Sequence, residues 1–122
     1  LGRERFRRSM GRRRGMIKTA LMNQSAISGR GNIYSDEILF QAGIHPERKL
    51  EKISDDELKR VYRVMKRVLG TATERKANPD NFPRSYLAPL REEGSKCPGC
   101  GGRVEKIKVN NRGTYLCPRC QN

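Results

Sequence analysis

Tryptophan is absent from this sequence, histidine occurs once, and aromatic residues of any kind make up only 6% of it. Acidic residues are scarce, with 13 Asp+Glu against 27 Lys+Arg. No long apolar run and no signal-peptide pattern occurs in the 122 residues. The missing apolar run excludes a membrane-spanning helix. Without a Trp-bearing amphipathic basic helix there is no support for a membrane-surface role either. A hydrophobic content of 34% argues against one large core and for one modest domain or two very small ones. His45 lies beside Pro46 and reads as a surface or capping residue rather than a ligand or base. What is abundant is positive charge: the net of +14 calls for a polyanionic partner. Nothing marks the chain for export, so the expected setting is reducing and cytoplasmic, where four cysteines favour metal over disulfides. The chain opens on Leu1, which suggests a piece of something longer.

Residues 1–15 carry Arg3, Arg5, Arg7, Arg8, Arg12, Arg13 and Arg14 against the single acid Glu4, with Gly2, Gly11 and Gly15 between them. They read as a basic arm or linker ordered against a phosphate backbone, or as a solvated charge run. A helical module is expected over 16–77. It starts with a short helix from Met16 to Gln24, with Ile17, Ala20 and Leu21 on one face. The turn Ser25–Gly31 follows, with Gly29 and Gly31 one residue apart, and feeds a helix from about Asn32 to Ala42 that Gly43 ends. Such a turn presents free N–H groups that suit phosphate, although it also serves as a plain connector. Ser54 and Glu57 form a capping box. Leu58, Val61, Tyr62, Met65, Val68, Leu69 and Ala72 follow at helical spacing and predict a core face. Residues 78–95, with prolines at 79, 83 and 89, read as a linker loop that Phe82, Tyr86 and Leu87 tuck against the helices.

Residues 96–122 hold Cys97-Pro-Gly-Cys100 and Cys117-Pro-Arg-Cys120, sixteen residues apart. Two such knuckles predict one zinc ion held by four thiolates, a structural site with no position open to water. A redox role is the alternative, but no βαβ pattern accompanies the pairs. The intervening Arg103–Val109 and Thr114–Leu116 predict a β-hairpin too short to stand without the metal. The fold class is therefore mainly α with a small β zinc ribbon.

Ile17-Lys18, Leu21-Met22-Asn23-Gln24, Gly29-Arg30-Gly31-Asn32-Ile33-Tyr34, Glu37, Leu39-Phe40 and Ala42–Pro46 together resemble the helix-two-turns-helix domain of formamidopyrimidine-DNA glycosylases and endonuclease VIII relatives. Arg112-Gly113-Thr114 and Cys117-Pro118-Arg119-Cys120-Gln121 are similar to that family's C-terminal zinc finger. The resemblance implies the DNA-binding C-terminal part of a base-excision-repair glycosylase and AP lyase acting on oxidised purines. Its implied partners are duplex DNA with damaged bases or abasic sites and a catalytic domain upstream; its implied form is a monomer in the bacterial cytoplasm and nucleoid. Family members carry their nucleophile on an N-terminal Pro-Glu, so this chain alone is expected to be inactive. By the same resemblance Arg14, Lys18, Gly31, Asn32 and Arg112 face DNA, with Arg112 also assisting strand elimination. Asn23 stands where the family has aspartate, and residues 75–90 lack its Gly-Gly-Ser/Thr run, so the lesion stays open. The alternative function is a non-enzymatic nucleic-acid adaptor joining a helical module to a zinc ribbon.

Overall fold

Near the start of the chain Phe6 and Met10, four apart and 1% exposed each, pack against the rest. They make one stripe of helix α1 (Arg3–Gly11), and Phe6 lies 5.4 Å from the Tyr62 ring. This corrects the expected arm over residues 1–15. The glycines bound the helix rather than interrupt it, since Gly11 is its last residue and Gly15, at φ +96°, turns the chain after it. The computed structural model describes residues 2–11, 14–24, 31–74, 82, 83 and 85–122, apart from the side chains of residues 73 and 74.

Helix α2 (Ile17–Met22) buries Ile17, Lys18, Ala20 and Leu21. Its opening N–H groups are taken: Ile17 N donates to Arg48 O and Lys18 N to Pro46 O, at 2.9 and 3.2 Å. Helix α3 (Gly31–Ala42) ends in a Schellman motif. Gly43, at φ +75°, donates to Phe40 O, and Ile44 N donates to Leu39 O. Helix α4 (Asp55–Glu74) opens on the predicted capping box, with Ser54 N donating to Glu57 Oε1 at 3.0 Å and Glu57 N to Ser54 Oγ at 3.1 Å. Its predicted core face packs as expected, with Val64 added. Phe82 and Tyr86 join this main core, whereas Leu87 crosses to a second, smaller one under the cysteines. A 3-10 turn spans Ala88–Leu90 in the linker.

Strands β1 (Glu105–Val109) and β2 (Arg112–Leu116) pair antiparallel, Val109 opposite Arg112 and Glu105 opposite Leu116. The turn is two residues, Asn110 and Asn111, both at positive φ (49° and 65°). Asparagine tolerates that region and the hand of the turn matches the strand twist. The ribbon begins before the expected boundary at residue 96, because Gly94 N donates to Val104 O and Val104 N to Ser95 O.

Helix α3 joins the two modules. Tyr34 through Phe40 and Ala42 are all buried, so the helix has almost no wet face. One side packs on α4 and α2 while the other carries the ribbon: Phe40 belongs to the core under the cysteines. The far end is stitched too. Asn122 N donates to Gly43 O, His45 N donates to Asn122 O, and Gln121 Nε2 donates to Ile44 O. His45 thus sits in a backbone seam, and its Nδ1 accepts from Glu47 N. Among the described residues, no helix is long and apolar enough to cross a membrane.

Candidate functional site

The four cysteine sulfurs lie within 4.8 Å of one another, with Cys97–Cys120 at 3.8 Å and Cys100–Cys117 at 3.5 Å. A tetrahedron of zinc–sulfur bonds near 2.3 Å has edges of about 3.8 Å, whereas a disulfide needs about 2.05 Å. The spacing therefore fits one zinc ion. Gly99 N donates to Cys97 Sγ and Gly102 N to Cys100 Sγ, and the latter bond draws the exposed Cys100 thiol down to about 7. Bound zinc would supply no chemistry beyond shape, since all four positions are sulfur.

A second constellation lies where β2 meets α3. Residues 109 and 112 flank a two-residue turn, so the backbone groups of Gly113 and Tyr115 point away from β1 to the open edge of the ribbon. Those groups are covered by side chains. Gly113 O accepts from Asn32 Nδ2 at 3.1 Å and from an Arg91 terminal nitrogen at 3.3 Å; Tyr115 N donates to Asp36 Oδ2 at 3.1 Å. Asp36 also accepts from Arg91 Nε at 2.9 Å and from Lys18 Nζ at 2.7 Å. Lys18 Nζ donates in turn to Thr114 Oγ1, which donates to Arg112 O. At the turn, Asn110 Nδ2 donates to Thr19 Oγ1 on α2. Four side chains, Asn32, Arg91, Asp36 and Thr114, thereby bond the backbone around Arg112, which itself stands exposed.

Burial acts on both partners of the central pair. It pushes the Lys18 ammonium below its ordinary value, opposed by the Asp36 carboxylate, and pushes Asp36 up, opposed by Lys18. Next to it, Glu37 accepts from Leu87 N, Ala88 N and Gln41 Nε2, which fastens the linker to α3; burial raises its carboxyl as well. Asp36 and Glu37 are buried in the second turn of α3 and serve the ribbon and the linker. Their signal in the sequence was two acids inside an otherwise apolar run.

Of the residues expected to face DNA, Arg112 and Arg14 are exposed, and Asn32 is half-buried beside the ribbon. Lys18 is a correction: it is 0% exposed with its charge directed at Asp36, so it cannot meet a phosphate from this position. Gly31 lies against the end of α2, where an added Cβ would meet Met22 atoms at an ordinary 3.6–3.8 Å, so packing alone does not require glycine there. Gly29 and Arg30 of the expected cradle lie outside the described residues. The Asn32 amide orientation follows from its neighbour, because an oxygen turned toward Gly113 O would be repelled. Its Oδ1 is buried and is the one buried side-chain polar atom without a partner among the described residues.

Fold and metal centre together define a helix-two-turns-helix domain carrying a four-cysteine zinc ribbon. Residues 2–82 match the family model described as the formamidopyrimidine-DNA glycosylase H2TH domain, and residues 94–122 match the zinc finger found in FPG and IleRS. The chain belongs to the formamidopyrimidine-DNA glycosylase H2TH family. It is 39% identical over 115 residues to the formamidopyrimidine-DNA glycosylase of Listeria innocua and 42% identical over 115 to that of an Exiguobacterium species. In both cases 86% of this chain matches 42% of the relative, so the chain spans less than half the length of these relatives. The crystal structure of the Lactococcus lactis FPG complex with FAPY-dG-containing DNA superposes with a TM-score of 0.83 at 30% identity. That match covers 99% of this chain and 47% of the other. A complex of the same protein with abasic-site DNA gives 0.82. Both modules in this order favour the glycosylase resemblance over the adaptor alternative.

Proposed function

We propose that this chain is the DNA-gripping part of a base-excision-repair glycosylase of the formamidopyrimidine type, holding duplex DNA at a damaged base or abasic site. The observation that carries this reading is the bond from Asn32, at the start of α3, to the carbonyl of Gly113, next to Arg112. It brings a helix N-terminus and an exposed guanidinium to one place from segments about eighty residues apart in sequence. The helix end favours negative charge, and the guanidinium fork matches phosphate oxygens. Similarity to a protein crystallised on FAPY-dG and abasic-site DNA supports the same partner here. Arg14 adds charge from the segment between α1 and α2. Lys18 supports the arrangement from inside.

The Schiff-base route that the family resemblance implies uses a free proline amine to attack the sugar carbon. Pro46-Glu47 is the chain's Pro-Glu pair, but its proline nitrogen is locked in a peptide bond. The role proposed for these 122 residues is grip rather than bond cleavage.

Neither Asn32 nor Arg112 is assigned to base edges, so their loss should weaken binding to all sequences alike. Arg112→Ala should flatten the salt dependence of abasic-duplex binding by about one counterion's worth of slope. Asn32→Ala should weaken binding with nearly the same slope. Dissociation constants across a salt series check both. Parent-like binding by Arg112→Ala at every salt concentration would reduce the ribbon to a structural part.

A further inference from the structure

Arg91 belongs to neither module's motif, yet its guanidinium does three things at the ribbon's open edge. Nε donates to Asp36, a terminal nitrogen donates to Gly113 O, and Cζ lies over the Tyr115 ring, 4.6 Å from its centroid. Asp36 meanwhile accepts from Tyr115 N with the same oxygen that takes Arg91 Nε. Gly113 and Tyr115 are the two β2 residues whose backbone groups β1 leaves unpaired, so the arginine–aspartate unit replaces a third strand there. Arg91 is 18% exposed and its donors are directed inward, which leaves little of its charge for an outside ligand. Arg112 is the next residue along the strand from Gly113.

We propose that Arg91, seated on Asp36, is a positioning residue for Arg112: it fixes the β2 edge so that the Arg112 guanidinium meets a phosphate already aimed. This deepens the reading above and rests on it. Arginine suits the task because one planar fork reaches a carboxylate and a carbonyl together while stacking on a ring, which a lysine ammonium cannot do. A loosely held hairpin would still carry the positive charge but would not deliver it to the phosphate, and a charge out of contact releases no counterion.

A double-mutant cycle on the full zinc-loaded chain tests it, using a duplex with one abasic site across a salt series. Arg91→Met keeps the apolar stem over Tyr115 and removes the fork. It should weaken binding nearly as much as Arg112→Ala and lower the salt slope by about one. The double variant should bind no more weakly than Arg112→Ala alone, because the positioned group is already gone. Additive losses, a further unit of slope lost in the Arg112→Ala background, or parent-like binding by Arg91→Met would each overturn the proposal; the second would make Arg91 a phosphate contact itself. Zinc content and unfolding midpoint are followed alongside. If Arg91→Met loses its metal, Arg91→Lys, which keeps a cation beside Asp36, is judged by the same coupling criterion. Parent-like binding by Arg112→Ala would bring down the phosphate-grip reading and this inference with it. Additivity on a weakened Arg112→Ala brings down this inference alone.

Discussion

Lys18 carries an ammonium group into a place water does not reach. Taking that charge and the Asp36 carboxylate out of water costs several kcal/mol each, and their attraction repays it only when further hydrogen bonds complete the site. Here they do: Thr114, Arg91 and the Tyr115 amide complete it. Lys18→Met should therefore lower the unfolding free energy by about 3 kcal/mol, the low end for breaking a buried pair, because Arg91 still balances Asp36. Urea unfolding of the two proteins measures it. A loss under about 1 kcal/mol would mean that burial has already neutralised the pair in the parent. In the sequence, Lys18 is one cation among 27, sitting in a short helix with apolar neighbours. Its own turn gives no sign that a carboxylate eighteen residues on will meet it. The misassignment of Lys18 as a DNA contact has that physical origin.

The best-marked element is α4. Its capping box and all of its apolar stripe but Val64 were readable, because both depend on residues three and four apart. What the local pattern did not contain is Arg48, which donates both terminal nitrogens to the Glu57 carboxylate, at 2.6 and 2.9 Å. The Ser54 amide first, and Arg48 after it, hold Glu57 below the ordinary glutamate value of 4.5. A depressed carboxylate stabilises the fold above its unfolded value and loses that contribution as pH falls through the folded one. The stability gap between the parent and Glu57→Gln should thus be full near neutral pH and shrink below about pH 4.5. Unfolding midpoints of both proteins at a series of pH values check it; a gap constant down to the lowest pH would remove the charge from the account. Helix α1 teaches the converse. Charge and glycine content favoured an arm, but two residues, Phe6 and Met10, outweighed seven arginines because they find a face to cover.

At the scale of the whole molecule, two cores share one helix. The larger is built from α1, α2, α3, α4 and the start of the linker; the smaller holds Phe40, Leu87, Val104 and two of the cysteines. Among the described residues the larger core holds no cysteine, whereas the smaller one is too slight to persist without the metal. Elemental analysis of protein purified without added metal should give one zinc per chain. Chelation should then unfold the Cys97–Cys120 hairpin while the helical signal of α4 remains. Loss of that helix together with the ribbon would show that α3 couples the two cores into one cooperative unit.

Features that depend on short spacing were legible along the chain: the paired Cys-x-x-Cys knuckles, the hairpin between them, the glycine stop at Gly43, the capping box and most of the α4 core face. Each is decided by residues within a few positions of one another, where backbone geometry leaves few choices. The candidate site was legible only in outline. The zinc ligands were legible by motif, and Asn32 and Arg112 were named by resemblance, but what joins them was not. Asp36 and Glu37 look like ordinary helix acids until the ribbon and linker fold back, 79 and 51 positions away, and offer them backbone N–H groups. Arg91 sits in a segment read as loop. Buried polar groups choose partners by who else is shut away from water beside them, and only the packed chain decides that.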